Sequence, residues 1–451
     1  MGKRFAIVGI GILTSTLVMQ SERVAQACGG CFHPPAQVAS DITDERMLLS
    51  VSQTQTTLFD QIKYAGNPAT FAWVLPIKGT VDVGLSADVM FDSIDALTAT
   101  QINPPNLNCP PQSGGGCSSS SATSADSVGG GYGNVTVTKS ENVGPYETVQ
   151  LHTTDPKALN NWLAQNGYDI PADVTPVIDA YVSEGFDFLA MKLSPGAGVQ
   201  SMRPVRVTMP GASVSLPLRM ASIGTGATVG ITIWIVAEGR YEPQNFPFFH
   251  IEDTDLVWDW NTNLSNYTTL RSQHEATLHA SGWEIESSLD LNTQTIQNLI
   301  LSSGTSQYGS PSAQPPASAD TDYLPIGDPG DPTGTDTDGG VPYQSADTVR
   351  SADIAALLNN TTASTVRVTR IRADLSHAAM TADLVLQASG DQGELSNQRS
   401  VTHMLNAPAC PSSGGIFGCD ASGRPIIGGA GLLMAAVGLA LTRVLRRRRT
   451  H

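Results

Sequence analysis

The nearest approach to a zinc-hydrolase helix in this chain is His274-Glu275-Ala276-Thr277-Leu278-His279. Such a helix needs two imidazoles at i and i+4 on one face, with the Glu as general base. Here the two His are five apart, a turn of about 500°, or about 140° net. A regular helix cannot bring both to one ion. His274 aligns instead with Tyr267, Leu270 and Leu278, the spacing of a core-facing stripe.

Other candidates are weaker. Asp253 and Asp255 could form the paired carboxylates of a glycosidase, but an acidic chain holds many such pairs. Asp328, Asp331, Asp336 and Asp338 cluster as calcium ligands do, without the full loop spacing or a closing Glu. Cys28-Gly29-Gly30-Cys31 has thioredoxin spacing but lacks a preceding strand and a following helix. Gly224-Thr225-Gly226 with Gly230 is one residue off a dinucleotide fingerprint and enters a strand, which reads as a turn. Trp258 and Trp260, near Phe246, Phe248, Phe249 and His250, are the densest aromatic group; they suit a carbohydrate or peptide platform, or a core corner. Neither a Gly-x-Ser-x-Gly elbow nor a phosphate loop occurs. No catalytic residue and no cofactor is therefore assigned, and the metal question stays open.

The two ends are more informative. Lys3 and Arg4 precede the uncharged run Phe5 to Met19, and Ala25-Gln26-Ala27 supplies the small side chains a signal peptidase admits. Residues 1–27 are thus expected to be a signal peptide cut between Ala27 and Cys28. The new N-terminal Cys28 invites lipidation, but Ala25 stands where a lipobox wants Leu. At the other end, residues 426–445 form an apolar run of 20 residues, about 30 Å as a helix. Arg446, Arg447, Arg448 and Arg449 follow, and positive charge stays cytoplasmic. The expected topology is a single-pass inner-membrane anchor with a basic cytoplasmic tail (446–451) and the rest of the chain outside.

The chain is net -16; its first 27 residues carry +2 and its last ten +5, leaving about -23 between them. Such a surface repels nucleic acid, which is excluded as a partner. The six cysteines fall in close pairs, Cys28/Cys31, Cys109/Cys117 and Cys410/Cys419. Outside the cytosol such pairs become disulfides, although six cysteines allow about 15 connectivities.

Between the ends, apolar runs at 46–76 read as strands, followed by a short helix capped by Ser86, with Asp88 in its first turn and Met90, Ile94 and Leu97 on one face. Two helices share one grammar: Asp155-Pro156 opens the first and Thr175-Pro176 the second, with stops near Gly167 and Gly185. Strands are expected at 146–153, 186–193, 205–209, 231–238, 365–373 and 382–388, and helices at 265–280 and 346–359. Since strands and helices do not alternate as βαβ units, the fold class is α+β with mostly antiparallel sheets and a few short helices. The exported domain spans 28–302, with a loop insertion at 103–134, and resumes at 346–390. Residues 303–345, rich in Ser, Pro, Gly, Asp and Thr, read as a disordered linker, and 391–425 as a flexible stalk.

The stretch LLSVSQTQTTLFDQIKYAGNPATFAWVLPIKG (48–79), preceded by Cys28-Gly29-Gly30, resembles the opening of the domain of unknown function 2330 family of exported bacterial proteins. VTRIRADLSHAAMTADLVLQAS (368–389) resembles that family's closing segment. The family has no established activity, so no catalytic residue carries over. The C-terminus resembles the MYXO-CTERM sorting signal: Gly418-Cys419, an apolar helix, then the Arg cluster. That resemblance implies a sorting protease acting near Cys419 and delivery to the outer membrane or cell surface. The sequence thus describes an envelope protein with a structural or binding role. An exported hydrolase with an unrecognised site and a cation-binding ectodomain stand beside it as alternatives.

Overall fold

The computed structural model describes residues 30–32, 42–61, 72–107, 136–165, 175–194, 202–223, 225–306, 323–327, 342–408, 417–419 and 425–427. In chain order the first elements are β1 (Gly30–Phe32), β2 (Ile42–Val51), β3 (Gln55–Asp60), β4 (Ala72–Ile77), β5 (Asp82–Leu85), α1 (Asp88–Thr98), β6 (Gln101–Asn103), β7 (Thr136–Val143) and β8 (Tyr146–His152). Next come α2 (Pro156–Gln165), α3 (Thr175–Ser183), β9 (Asp187–Leu193), β10 (Val205–Pro210), β11 (Ser215–Leu216), α4 (Leu218–Ala221), β12 (Thr225–Ala237), β13 (Tyr241–Pro243) and β14 (Phe248–Phe249). Then follow β15 (Val257–Asp259), β16 (Leu264–Ser265), α5 (Tyr267–Thr277), β17 (Trp283–Asn292), α6 (Thr293–Ser306), α7 (Ala346–Leu357), β18 (Thr365–Ser376) and β19 (Leu384–Ala388). The last are β20 (Gln398–Ser400), β21 (His403–Leu405), β22 (Phe417–Cys419) and β23 (Pro425–Ile427).

The expected α+β class holds: two large sheets pair mostly antiparallel, and the helices are short. The chain divides into two units. The larger (1–99, 122–249 and 275–395) contains an eight-stranded sheet in the order β14-β17-β18-β12-β2-β3-β10-β5 and a five-stranded sheet in the order β1-β4-β9-β8-β7. Within the eight-stranded sheet only β12–β2 and β14–β17 run parallel. Ile231, Ile233 and Ile235 of β12 are buried, and so are Trp234 and Val236 on its opposite face. Both faces are covered, which is why this strand reads as an unbroken apolar run rather than an alternation. Trp234 also docks α1: its Nε1 donates to Thr98 Oγ1 at 2.8 Å, and its ring meets Phe91 edge-on.

The five-stranded sheet separates two cores by simple alternation. On β9, Leu189, Met191 and Leu193 join the core shared with the large sheet, whereas Phe188 and Ala190 face Leu159, Trp162, Ile178 and Tyr181 of α2 and α3. On β4, Leu75 and Ile77 take the first side and Val74 the second. The Asp155-Pro156 and Thr175-Pro176 openings place α2 and α3 as the sequence predicts; Asp155 Oδ1 accepts from the Lys157 amide at 2.9 Å. Gly185 ends the second helix with φ +76.

The smaller unit (100–121, 250–274 and 396–451) holds a three-stranded sheet, β16-β15-β21, a parallel β6–β20 pair and the β22–β23 hairpin. Asn263 turns β15 into β16 in the left-handed region, φ 53. Residues 398–405 therefore depart from the stalk expected over 391–425. Their order comes from pairing with strands far away in sequence, and from Arg399, whose buried guanidinium donates to Asp253 at 2.5 Å.

Further departures are local. Ser86 does not cap α1; Ala87 holds the cap position without a side-chain bond. Within 303–345, Tyr323 and Ile326 are buried, so this segment contributes to the core at those residues. Ile426 and Ile427, the first residues of the expected membrane span, lie in β23; the rest of that span and Arg446 to Arg449 lie outside the described residues. No helix among the described residues is long and apolar enough to cross a membrane.

Candidate functional site

The larger unit encloses a cavity of about 340 Å³, at the small end of the range of ligand pockets. Its walls come from Leu49 of β2, Leu58 of β3, Leu75 and Ile77 of β4, Met209 of β10, and Leu216 of β11. Leu49 and Leu58 are cross-strand partners, so one face of the large sheet forms a continuous aliphatic wall. The turn after β10 closes one side. Thr56 Oγ1 fixes it, donating to the Gly211 carbonyl at 2.9 Å and accepting from the Ser213 amide at 2.8 Å. Gly211 itself turns with φ +80, a conformation that favours glycine.

Polar groups gather where the cavity opens. Asp383 Oδ1 accepts from the Tyr181 hydroxyl at 2.6 Å and the Arg219 amide at 3.1 Å, while Oδ2 accepts from Arg219 Nη2 at 2.7 Å. Arg219 also forks onto Glu184, with both bonds at 2.7 Å, and its guanidinium lies 4.2 Å from the centre of the Tyr181 ring. Burial and the adjacent Asp383 charge push the Tyr181 hydroxyl far up, and hydrogen bonds from Arg219 hold the Glu184 carboxyl below its usual range. Bonds to the two carboxylates raise Arg219 further. Each Asp383 oxygen therefore accepts at least one bond within the cluster.

Lys78 is different. It is exposed, lines the cavity, and rests its Nζ 4.4 Å from the centre of the Phe186 ring, another lining residue. Its electrostatic neighbour Glu184 already takes both bonds of the Arg219 fork. Ser213 and Ser215 contribute hydroxyls to the same lining. Among the described lining residues there is no His, Cys or Glu to pair with a nucleophile.

A second polar cluster is wholly interior. Asp353 of α7 accepts from Ser86 Oγ and the Tyr323 hydroxyl, each at 2.6 Å, and from Arg206 Nη1 of β10 at 3.1 Å. Ser86 therefore spends its hydroxyl on this carboxylate rather than on α1. Burial, opposed by Arg206, raises Asp353 to about 6. The fully buried Asp60 is raised by desolvation to about 7.

The residues singled out in the sequence do not converge on either cluster. His274 is half-buried on α5, and His279 lies past its end with φ 56, so no regular helix carries both. No group of three or more His, Cys, Asp or Glu suited to a metal occurs among the described residues. Asp253 is taken by Arg399 and by the Ser400 amide. His152 and His250 each meet a carboxylate at 2.6 Å, Asp187 and Glu252 respectively, and neither lines the cavity. Trp258 and Trp260 meet edge-on at 6.1 Å, both half-buried, on the small β16-β15-β21 sheet or beside it. Cys31 lies in β1 and Cys419 in β22, while Ala27, Cys28, Cys109, Cys117 and Cys410 lie outside the described residues. Each expected disulfide has a partner there. The Asp328 to Asp338 cluster lies there too.

Lys78, Tyr181, Arg219 and Asp383 were not legible as a group. Tyr181 presented itself as part of an apolar helix face, and Asp383 is 202 residues away. The one available signal was Lys78 itself, a single charge directly after the apolar run of β4.

Fold and cavity together define an α+β protein with two large sheets and a largely aliphatic pocket. A family described as "Uncharacterized protein conserved in bacteria (DUF2330)" matches residues 23–292, and the chain belongs to it. The matched range includes the 48–79 stretch and ends before 368–389. No curated protein and no solved structure matches the chain.

Proposed function

We propose that this is an exported envelope protein, membrane-tethered or surface-sorted through its C-terminal segment, whose ectodomain binds an apolar ligand rather than catalysing a reaction. The observation that carries the binding role is the cavity of about 340 Å³, whose walls are largely aliphatic and whose described lining residues include no His, Cys or Glu.

Export and tethering rest on the two ends of the sequence. The basic start, apolar run and Ala25-Gln26-Ala27 form one signal; the apolar run 426–445 and Arg446 to Arg449 form the other, and both give the same topology. The cysteine pairs act as disulfides in that compartment. The Gly418-Cys419 stretch, apolar run and Arg cluster make the tail an address read by a sorting protease, which delivers the protein to the outer surface.

Mass spectrometry of the mature protein from fractionated cells tests this reading. A first residue of Cys28 and a C-terminus near Cys419 are expected, in the outer-membrane or surface fraction. Recovery of Met1 with cytosolic fractionation overturns export, and recovery of Arg449 and His451 overturns sorting.

A further inference from the structure

We infer that the cavity takes a single aliphatic chain ending in a carboxylate, with the chain against Leu49, Leu58, Leu75 and Leu216 and the carboxylate at Lys78. This rests on the binding role proposed above and names its ligand class.

Size sets the chain. At about 30 Å³ for a group the size of a water molecule or methylene, a volume of about 340 Å³ admits roughly ten carbons, one chain rather than two. The walls set the chemistry of the body: aliphatic side chains offer burial and no hydrogen bonds.

The mouth sets the chemistry of the end. A cationic head would meet the like charge of Lys78 and find Asp383 already paired with Arg219 at 2.7 Å. A neutral head would find the Ser213 and Ser215 hydroxyls but gain nothing from the Lys78 charge. An anionic head meets an ammonium group that rests 4.4 Å from the Phe186 centroid and forms no direct ion pair among the described residues, with the two serine hydroxyls as added donors. Elsewhere in the larger unit cations meet carboxylates directly, as Lys139 does Glu141, Lys192 does Glu147 and Arg367 does Asp290. Lys78 thus places an exposed positive charge on the lining of a largely apolar cavity.

Photo-crosslinking on the full chain in isolated cell envelopes tests this, using a ten-carbon acid and the matching alcohol, each bearing a diazirine at the chain end. Labelled peptides are mapped by mass spectrometry. The acid is expected to label residues 72–78 or 209–217. Lys78→Glu should cut that labelling about fivefold or more, the scale of one lost charge contact. Lys78→Arg should keep it, and labelling by the alcohol should be the same in all three. Ala212→Trp, at an exposed lining position, should block both probes. Excess decanoate should displace the acid probe, whereas a short two-chain phospholipid should not.

If acid and alcohol label equally and Lys78→Glu changes neither, the carboxylate assignment falls while the binding role stands. If only the phospholipid displaces the probe, the single-chain assignment falls. If neither probe labels the cavity, both the inference and the binding role fall. Because Lys78 is exposed, its substitution leaves the core intact, and circular dichroism of each variant confirms the fold.

Discussion

Tyr323 donates its hydroxyl to Asp353 Oδ2 at 2.6 Å, joining a segment of linker-like composition to a carboxylate with no exposure to solvent. Asp353 carries its charge into the core only because Ser86, Tyr323 and Arg206 surround it. Removing one donor leaves that buried carboxylate short of a partner, at about 1–3 kcal/mol. Tyr323→Phe and Ser86→Ala are each expected to destabilise by this amount, read from urea unfolding with an unchanged slope. If Ser86 acted as a helix cap instead, its loss would cost about 1 kcal/mol and would be independent of Tyr323→Phe in a double mutant.

The buried carboxyls also set a pH dependence. Asp60 and Asp353 have folded values of about 7 and about 6, above the 3.8 of the free side chain. A raised carboxyl binds its proton more tightly in the native state, so its contribution to stability is complete below about 3.8 and is lost as pH rises through 6 to 7. Asp60 has an oxygen with no hydrogen-bond partner among the described residues. Asp60→Asn is therefore expected to raise the melting temperature at pH 8, with a gain that shrinks toward pH 5. A gain of equal size at both pH values would remove Asp60 as the titrating group.

Arg219 holds two carboxylates and the face of Tyr181. Arg219→Ala is expected to destabilise by about 2–4 kcal/mol, since it strips Asp383 of its guanidinium partner in a largely buried place. Arg219→Lys should recover only part of this, because an ammonium cannot reproduce the fork. Thermal melts of the three proteins at one salt concentration measure the difference.

Two glycines separate strain from packing. Gly79 and Gly144 both have positive φ, 72 and 59, but a Cβ at Gly79 meets nothing within 4 Å while one at Gly144 would lie 2.3 Å from Leu85 Cδ1. Gly79→Ala is expected to cost about 1 kcal/mol of backbone strain. Gly144→Ala should cost about 1–3 kcal/mol more, as buried Leu85 must shift. Equal losses in chemical unfolding would show that Leu85 moves freely.

Much of the fold was written locally. The Asp155-Pro156 and Thr175-Pro176 openings, the apolar stripes of α1 and α3 and the strand runs of β2, β4, β9 and β12 were legible because each signal sits within about ten residues, the range of caps and periodicity. The three-residue strands β20 and β21 were not, since so short a run has no period and is held by distant partners. The same limit explains Ser86. Its sequence context is that of a cap, but Ala87 takes the cap position and Ser86 donates its hydroxyl to Asp353, 267 residues away.

The cavity illustrates the division most clearly. The sequence by itself determined the ends of the chain as charge-flanked apolar runs, the acidic character between them, the family and the α+β class, all properties of composition or short-range order. Tertiary structure alone decided that Leu49, Leu58, Leu75 and Leu216 form one wall, that Asp383 is closed off by Tyr181 and Arg219, and that Lys78 remains at the opening. The physical reason is that cross-sheet packing and buried charge pairing depend on which residues meet in space. Neither leaves a trace in the order of residues.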